Sequence, residues 1–494
     1  MKGLAFLLLG LLVSSTLFAQ TYLDVPPGNG TLNDSIAVHK GNVIYRLEAG
    51  GWYGLTGVIQ NDGFSLTIIG TTPAPGQMPA IIQDGTNPDG TVMVPMFQLL
   101  GDLTLRNVFV VGADQQNSLC PLPILANGHQ SVRIVIDSVT FDPVGIWALI
   151  NISTPMPRMY ITNSLFIRIG TLTSPYDGNL IDFPTVAGNG FDTLYVENNT
   201  FVSTGMLMGI NSIFTADSEN FVWINHNSFI FHKQQFLWMW HMNSYFVTNN
   251  LFFDYDVSPT PYISNFSFPD GDTTGPGSLF AWVNQDTTSS DYIDGKLLSK
   301  RKLFVEYNSN YTDPRIANLV TWAATHTVNN DGKTPIPKDY LMPLMWPADS
   351  AKVNREAAMC SDKAHFPNFY EGHYLDNLMG VKPNTDPEWT DSRLYAIQDS
   401  LVSWAFDNAK LNIWDFTTSP DTPPLQFAGN WFWCADSAYN LGNPVVWPRI
   451  NCSYKNSQLL TGSIEGLPLG DLNWFPEAKA LWQANQATIM QHIL

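Results

Sequence analysis

The residues best suited to chemistry are aromatic and lie in segment 236–241, which reads Phe-Leu-Trp-Met-Trp-His. Side chains of an extended strand alternate between two faces, so Trp238 and Trp240 would share one face, with Trp282 on a nearby strand. Indole rings placed in this way can stack on successive sugars of a polymer, because their faces are flat and apolar. Ordinary packing in a core is the alternative role for these tryptophans.

Polar residues near the tryptophans can supply hydrogen bonds or transfer protons. The substrate-binding set predicted from the sequence is Trp238, Trp240, His241, Trp282, Lys233 and Asp182. A lone His or Lys beside a strand is also commonly a plain solvated side chain, which is the alternative here. Paired-carboxylate catalysis would need acids from separate strands to converge, and no catalytic residue is assigned. The acids in question are Asp177, Asp182, Asp254 and Asp256.

Four copies of one phrase organise the chain around these residues. They are Met159–Phe166, Leu194–Phe201, Val222–Phe229 and Tyr245–Phe252, each predicted as a strand, a polar corner and a second strand. The phenylalanines at 141, 166, 201, 229 and 252 are 25, 35, 28 and 23 residues apart, which indicates coils joined by loops of varying length. Such a unit cannot bury its apolar side alone, so successive copies must stack into a solenoid with a continuous core. Asparagines at the corner tolerate a left-handed backbone and can hydrogen-bond along the stack.

Alternation also predicts the side chains that face outward from the solenoid. One outward column comprises Val135, Tyr160, Tyr195, Trp223, Phe246 and Phe304, beside a second column of Asp137, Thr162, Glu197, Asn225, Thr248 and Glu306. The aromatic column is either a platform for sugar rings or a surface that a later part of the chain covers. Strands of one further sheet are expected in segments 96–100, 124–126, 147–152, 180–183, 236–241 and 279–283.

These phrases resemble the pectin-lyase-like superfamily over roughly residues 21–315, and the resemblance implies an all-β fold, the right-handed parallel β-helix. Segment 220–229 is similar to the pectate lyase strand Trp-Ile-Asp-His, whose Asp ligates Ca²⁺, and Asn225 takes that position here. A neutral amide is a weaker cation ligand than a carboxylate, so no cofactor is expected. Ca²⁺ at the turn Asp270-Gly-Asp272 is the alternative. The signature motifs of the lyases and hydrolases are absent from the sequence. The resemblance therefore indicates the fold and does not indicate which activity the protein has.

The chain divides into three regions. Residues 1–19 combine Lys2 with a short apolar run and small polar residues, which predicts a secretory signal peptide. Residues 20–315 are the expected β-helix with an N-terminal cap, since an uncovered terminal coil would expose a sheet edge. Residues 316–494 are a mixed region that packs on the solenoid or closes its end.

Two helices are expected in the last region, over residues 392–410 and 476–494, from their spacing of apolar residues. Segment 467–475 between them is similar to the ending of exported bacterial β-helix proteins, which implies a bacterial source. Its sequence indicates a turn in which Asp471 or Asn473 bonds the backbone.

The chain has 494 residues and a formal net charge of −19, from 24 basic and 43 acidic residues. Nucleic acid is therefore not expected as a partner, because phosphate binding needs clustered Lys and Arg. An acidic glycan would need bound Ca²⁺ or a local basic patch, whereas a neutral glycan needs neither. No apolar run after the signal peptide is long enough to span a membrane, which favours a secreted or extracellular protein, with the periplasm or cell surface also open. Cys434 and Cys452 can form a bridge in such a compartment, and buried thiols are the alternative.

Two functions from different classes fit these features. The first is a secreted protein that binds, and in one version cleaves, an extracellular polysaccharide along an aromatic-lined face. If it is an enzyme, a polysaccharide lyase or a glycoside hydrolase is expected. The second is a non-catalytic extracellular protein with a structural, adhesive or self-assembling role, in which the aromatic residues and asparagines serve packing and self-association.

Overall fold

The computed structural model describes most of the repeat region and the C-terminal end of the chain. The described residues are 21–142, 145, 148–169, 179–183, 191–205, 207–210, 219–231, 237–239, 242–254, 280–282, 302–311, 313–315, 385–410 and 450–493. The predicted signal peptide lies outside these ranges, so cleavage and export stay predictions.

Three sheets contain the 28 strands of the described residues, numbered along the chain. Sheet A consists of β1 (Thr21–Val25), β3 (Val43–Leu47), β6 (Leu66–Gly70), β9 (Leu103–Arg106), β12 (Arg133–Asp137), β15 (Arg158–Thr162), β18 (Thr193–Glu197), β21 (Glu219–Asn225), β24 (Met242–Thr248) and β27 (Lys302–Glu306). Sheet B consists of β2 (Gly28–Asn29), β4 (Trp52–Gly54), β7 (Ala80–Gln83), β10 (Val108–Val111), β13 (Thr140–Phe141), β16 (Leu165–Ile169), β19 (Thr200–Thr204), β22 (Ser228–Ile230), β25 (Leu251–Phe253) and β28 (Ser309–Tyr311). Sheet C consists of β5 (Ile59–Gln60), β8 (Phe97–Leu99), β11 (Ile124–Ala126), β14 (Ala148–Ile152), β17 (Asn179–Phe183), β20 (Met208–Ile210), β23 (Leu237–Met239) and β26 (Phe280–Trp282).

All neighbouring strands within the sheets are parallel, and each strand pairs with the equivalent strand of the next coil. Successive coils contribute strands to sheets A, B and C in turn, which is the right-handed parallel β-helix that the repeat predicts. The expected fold class is confirmed. All six segments predicted for a further sheet contain a strand of sheet C.

One file of phenylalanine rings runs through the core inside sheet B. The ring centroids of Phe141, Phe166, Phe201, Phe229 and Phe252 are 5.6, 4.9, 4.8 and 5.1 Å apart in succession, with nearly parallel planes. The register pairs each of these residues with the next, so the irregular spacing in sequence becomes a regular spacing in space. The loops between strands absorb the difference in length.

The corners between sheets A and B repeat one backbone conformation. Seven consecutive corners place a residue with φ between 52° and 58° there: Asn107, Ser138, Asn163, Asn198, His226, Asn249 and Tyr307. Asparagine adopts this left-handed conformation at lower cost than most residues, which accounts for its frequency.

The residue after each later corner forms an asparagine ladder, defined as Asn199, Asn227, Asn250 and Asn308. Each amide nitrogen donates to the amide oxygen of the next member, at 2.9, 3.1 and 2.9 Å. All four are buried. The predicted hydrogen bonding along the stack is confirmed.

Helix α1 (Thr31–His39) closes the N-terminal end of the core. Gly30 has φ of 76°, which suits glycine, and the helix starts directly after it. Leu32 and Ile36 are buried against the first coils. The sequence predicts a capping element at this end of the solenoid.

Helices α2 (Arg393–Lys410) and α3 (Pro476–Ile493) occur where the sequence predicts them. Leu394, Ile397 and Leu401 of α2 are buried in a cluster with β-helix residues such as Phe253. None of the helices in the described ranges combines the length and the apolar character that a membrane crossing needs.

Cys452 is buried and has a free thiol, whose pKa burial raises. Cys434, its predicted partner in a bridge, lies outside the described residues.

Candidate functional site

Sheet C contains Asp182 and Trp238, two of the six residues that the sequence predicts for binding. One row across the strands pairs Gln60, Gln98, Leu125, Asn151, Asp182, Gly209, Trp238 and Ala281 in succession. We name this set the sheet C row. At Leu125 the row faces outward, because the residues on either side, Ile124 and Ala126, are fully buried in the core and strand side chains alternate.

Exposure decreases along the sheet C row from Gln60 to Asp182. Gln60 is exposed and its amide nitrogen lies 3.4 Å from the amide oxygen of half-buried Gln98. Further along, Asn151 donates to Asp182 Oδ2 at 2.8 Å, and Asp182 is only 1% exposed. A carboxylate with this burial is bonded inside the protein, so the end of the row at Gln60 and Gln98 is the part open to a ligand.

The structure places two of the six predicted binding residues in this row and separates a third from them. Asp182 and Trp238 share the row, two coils apart, with Gly209 between them. Trp282 pairs with Met239, one position along from the pair Trp238–Ala281, so the two tryptophans do not share a register row. Lys233, Trp240 and His241 lie outside the described residues.

The carboxylates considered for catalysis do not converge where they are described. Asp182 lies in sheet C, whereas Asp254 follows β25 of sheet B, three coils further on. Three coils are about 14 Å along the stack, which exceeds the spacing of a glycosidase pair. Asp254 is instead a buried acceptor for the Asp313 backbone amide and the Gln398 side chain, each at 2.6 Å. Asp177 and Asp256 lie outside the described residues.

The outward aromatic column of sheet A has the predicted register. Val135, Tyr160, Tyr195, Trp223, Phe246 and Phe304 pair in succession. Trp223, Phe246 and Phe304 are buried, and Ile489 and Met490 of α3 pack against them. The sequence predicts either a platform for sugar rings or a surface that a later part of the chain covers. From Tyr195 onward the column is the covered surface.

Glu197 anchors α3 to that surface. Its Oε2 accepts hydrogen bonds from Tyr195, Trp223 and Asn225, at 2.9, 2.9 and 3.1 Å. Its Oε1 accepts from Trp482 and Gln486 of α3, at 3.2 and 2.9 Å. Burial raises the pKa of the Tyr195 hydroxyl, and the nearby carboxylate raises it further.

Asn225, which stands at the Ca²⁺-ligand position of the resemblance, is fully buried. Its Oδ1 accepts from Thr248 and Asn249, and its Nδ2 donates to Glu197. Both ends of the amide are therefore used inside the protein. No group of three or more potential metal-ligating side chains occurs in the described part of the chain.

His226 lies at a corner between sheets A and B. It is buried against the C-terminal segment that contains Glu465 and Gly470. Its Nδ1 lies 3.2 Å from the Gly470 carbonyl oxygen, which can only accept, so Nδ1 carries a proton. Its Nε2 lies 2.5 Å from Glu465 Oε1. One proton must lie between these two atoms, and the pair as a whole is neutral wherever that proton resides.

Asp471 makes the turn that the sequence predicts. It accepts from the Asn473 backbone amide at 2.8 Å and from the Thr200 hydroxyl at 2.7 Å. Burial raises the pKa of Asp471 to about 7, against the opposing effect of these donors. It joins the C-terminal segment to sheet B, and a packing role accounts for all of its contacts.

Sequence reasoning missed Glu465 and Gln486 as members of this network. They come from a region without the repeat, and no spacing in the sequence points from them to Glu197 or His226.

Comparison with known proteins adds little to this site. The chain is similar to a solved structure of a PL6 family alginate lyase, AlyGC, with 17% identity and a TM-score of 0.32. The match covers 47% of this chain and 36% of the lyase chain, so this chain spans about a third of that protein. No family model matches, and no curated protein matches. A likeness this weak carries no argument about activity.

Proposed function

We propose that the protein is secreted and binds an extracellular polysaccharide along the sheet C row. The observation that carries this function is the register that aligns Gln60 and Gln98 with Trp238 in one row of sheet C. The exposed amide of Gln60 and the half-buried amide of Gln98 suit sugar hydroxyl groups, and an indole suits the apolar face of a sugar ring.

The repeat of the coils favours a linear polymer as ligand. Equivalent positions of successive coils are about 4.8 Å apart, so a row of side chains presents evenly spaced contacts along one line. The proposal concerns binding, and it assigns no residue to bond cleavage.

Replacing Trp238 tests the function directly. Trp238→Ala should weaken binding to the glycan that the wild-type protein selects on a glycan array by about tenfold or more, because loss of an aromatic stack costs about 1–3 kcal/mol. Trp238→Phe should retain most of the affinity, since a flat ring remains. Isothermal titration calorimetry with the selected glycan measures both.

Tyr22→Ala is the matched control, because Tyr22 is an aromatic residue that is 54% exposed on sheet A, away from the sheet C row. It should leave the affinity within about twofold, a change below 0.5 kcal/mol. Unchanged affinity in Trp238→Ala, or a wild-type protein that selects no glycan, would contradict the function and favour the structural or adhesive alternative.

A further inference from the structure

Lys479 lies at a point of α3 where a positive charge does not stabilise the helix. It is in the first turn, and its backbone amide donates to the Phe475 carbonyl oxygen at 2.9 Å. The positive end of the helix dipole lies there, which favours the acid Glu477 and disfavours a charged lysine. Packing accounts for the contacts of the nearby Asp471, but it gives no reason for a lysine at this position.

The side chain of Lys479 reaches back to the turn that precedes the helix. Helical side chains tilt toward the N-terminus, and here that direction leads to the turn Leu472–Trp474. The Nζ atom of Lys479 is in hydrogen-bond contact with Asn473 Oδ1. Because a C=O bond is about 1.2 Å long, Nζ lies within about 4 Å of the amide carbon, near the 3–3.5 Å from which two atoms react.

The side-chain amide of Asn473 is held in one orientation. Its Nδ2 donates to the Asn198 carbonyl oxygen and to Asp471 Oδ1, each at 2.7 Å. Its Oδ1 accepts from Lys479. An amide that is bonded at both ends keeps its carbon beside the lysine nitrogen, and a fixed geometry of this kind lowers the barrier to reaction.

Asp471 is placed to carry a proton between the two nitrogens of such a reaction. It is 2% exposed, and its Oδ1 contacts the amide nitrogen of Asn473. Burial raises the pKa of Asp471 to about 7, and burial lowers the pKa of Lys479. Three acids oppose the shift at the lysine, namely Asp471, Asp137 and Glu197. The buried setting thus favours an uncharged amine beside a protonated acid.

We infer that Lys479 and Asn473 react with each other to form an internal amide, or isopeptide, bond. The uncharged Nζ attacks the side-chain amide carbon of Asn473, and a new C–N bond forms. Asp471 gives its proton to Nδ2, the bond between the carbon and Nδ2 breaks, and ammonia leaves. The attacking nitrogen then returns one proton to Asp471. The acid ends as it began, and no other reagent is consumed.

The bond closes a ring over residues 473–479 and joins the first turn of α3 to the turn before it. That turn is already tied to the β-helix, because Asp471 accepts from Thr200 at 2.7 Å and Asn473 donates to Asn198. Helix α3 covers the aromatic column of sheet A, so the bond fixes the start of the covering helix. The inference does not depend on the function proposed for the sheet C row.

The intact mass of the purified protein tests the inference, once its N-terminus has been identified. The wild-type protein should be lighter than its sequence by one ammonia molecule. Lys479→Arg keeps the positive charge and cannot form the amide, so it should have the full mass of its sequence. Lys455→Arg is the matched control at an exposed lysine of the C-terminal segment, and it should keep the loss of ammonia. Asp471→Asn should slow the reaction by about a hundredfold or more, because the proton carrier is gone.

A digest of the unfolded protein locates the bond. A protease specific for acidic residues cuts after Glu477, between the two reacting residues. The peptides on either side should stay joined in the wild type and separate in Lys479→Arg, and thermal unfolding checks that the variants are folded before digestion. Ring closure at Asn473 alone would also release ammonia, but it would persist in Lys479→Arg and leave the peptides separate. That result, or a wild-type protein with the full mass of its sequence, would overturn the inference.

Discussion

Glu197 shows how a single buried acid can hold two distant parts of this chain together. It is 4% exposed, and five side chains donate to its two oxygens. A buried carboxylate is tolerated when its lone pairs are satisfied in this way. Because two of the donors belong to α3, the same bonds that stabilise the charge also fix the helix on sheet A.

Glu197→Ala should therefore destabilise the protein strongly. The change leaves buried donors on Trp223 and Trp482 without an acceptor, which should lower the free energy of unfolding by about 3 kcal/mol or more. It should also release α3, so that limited proteolysis cuts after Lys479 faster than in the wild type. Urea denaturation and mass spectrometry of the fragments measure the two effects.

Glu477→Gln serves as the control, because Glu477 is an exposed acid on the same helix. It should change the free energy of unfolding by less than about 0.5 kcal/mol. Equal stability of the Glu197 and Glu477 variants would refute the role of Glu197 as an anchor.

At the scale of elements, the asparagine ladder joins successive coils by hydrogen bonds at their corners. Asn227 donates to the Val196 carbonyl of the preceding coil and to Asn250 of the following coil, and its Oδ1 accepts the Asn199 backbone amide. These bonds satisfy backbone groups at a corner where regular sheet pairing is interrupted. Asn199, Asn227 and Asn250 therefore each link three consecutive coils.

Asn227→Ala should lower the free energy of unfolding by about 2–4 kcal/mol, because several buried partners lose their bonds at once. Asn227→Asp should also destabilise the protein, since a carboxylate cannot donate to the Val196 carbonyl or to Asn250. Chemical denaturation followed by circular dichroism provides the measurement.

The exposed Asn485 of α3 offers the comparison, and Asn485→Ala should have little effect. If Asn227→Ala lowers the free energy of unfolding no more than Asn485→Ala does, the ladder is a consequence of how the coils stack and does not stabilise the stack.

At the scale of the whole molecule, three buried acids make stability depend on pH. Burial is the main cause that raises the pKa values of Asp84, Asp254 and Asp471 from 3.8 to about 7. Between these two values the folded protein holds more protons than the unfolded chain, so the free energy of unfolding falls as pH rises through this window. Below pH 3.8 both states are protonated at these sites, and the effect of pH on them ends.

The melting temperature should accordingly be lower at about pH 8 than at about pH 5, with up to about 3 kcal/mol lost for each acid between these two pH values. Asp254→Asn should reduce this difference, because its amide cannot ionise and the Gln398 side chain can rotate to accept from it. Differential scanning calorimetry across the window measures the change.

The chain has a net charge of −19, and protonation of its carboxylates at lower pH reduces the repulsion between them. This general effect also raises stability at lower pH, so the control variant must remove the same charge as Asp254→Asn. Asp62→Asn does so at an exposed position and should preserve the pH difference. If Asp254→Asn and Asp62→Asn give the same profile, general repulsion explains the effect and the buried acid does not.

The sequence alone determined the coil architecture, because the local pattern of each repeat specifies its strands, its corner and its inward face. Three features follow from that local pattern: the outward column from Val135 to Phe304, the file of phenylalanine rings from Phe141 to Phe252, and the asparagine ladder. Stacking then requires equivalent residues of successive coils to meet, whatever the length of the loops between them.

Only the tertiary structure decided which outward faces of the sheets are covered by other parts of the chain and which remain exposed. Contacts of Trp482 and Gln486 with Glu197 join residues more than 280 positions apart, and no local pattern encodes such a meeting. The separate register positions of Trp238 and Trp282 depend likewise on how one coil aligns with the next. The strands of sheet C lie outside the repeated phrase, so their register, and with it the sheet C row, is set only when whole coils pack on one another.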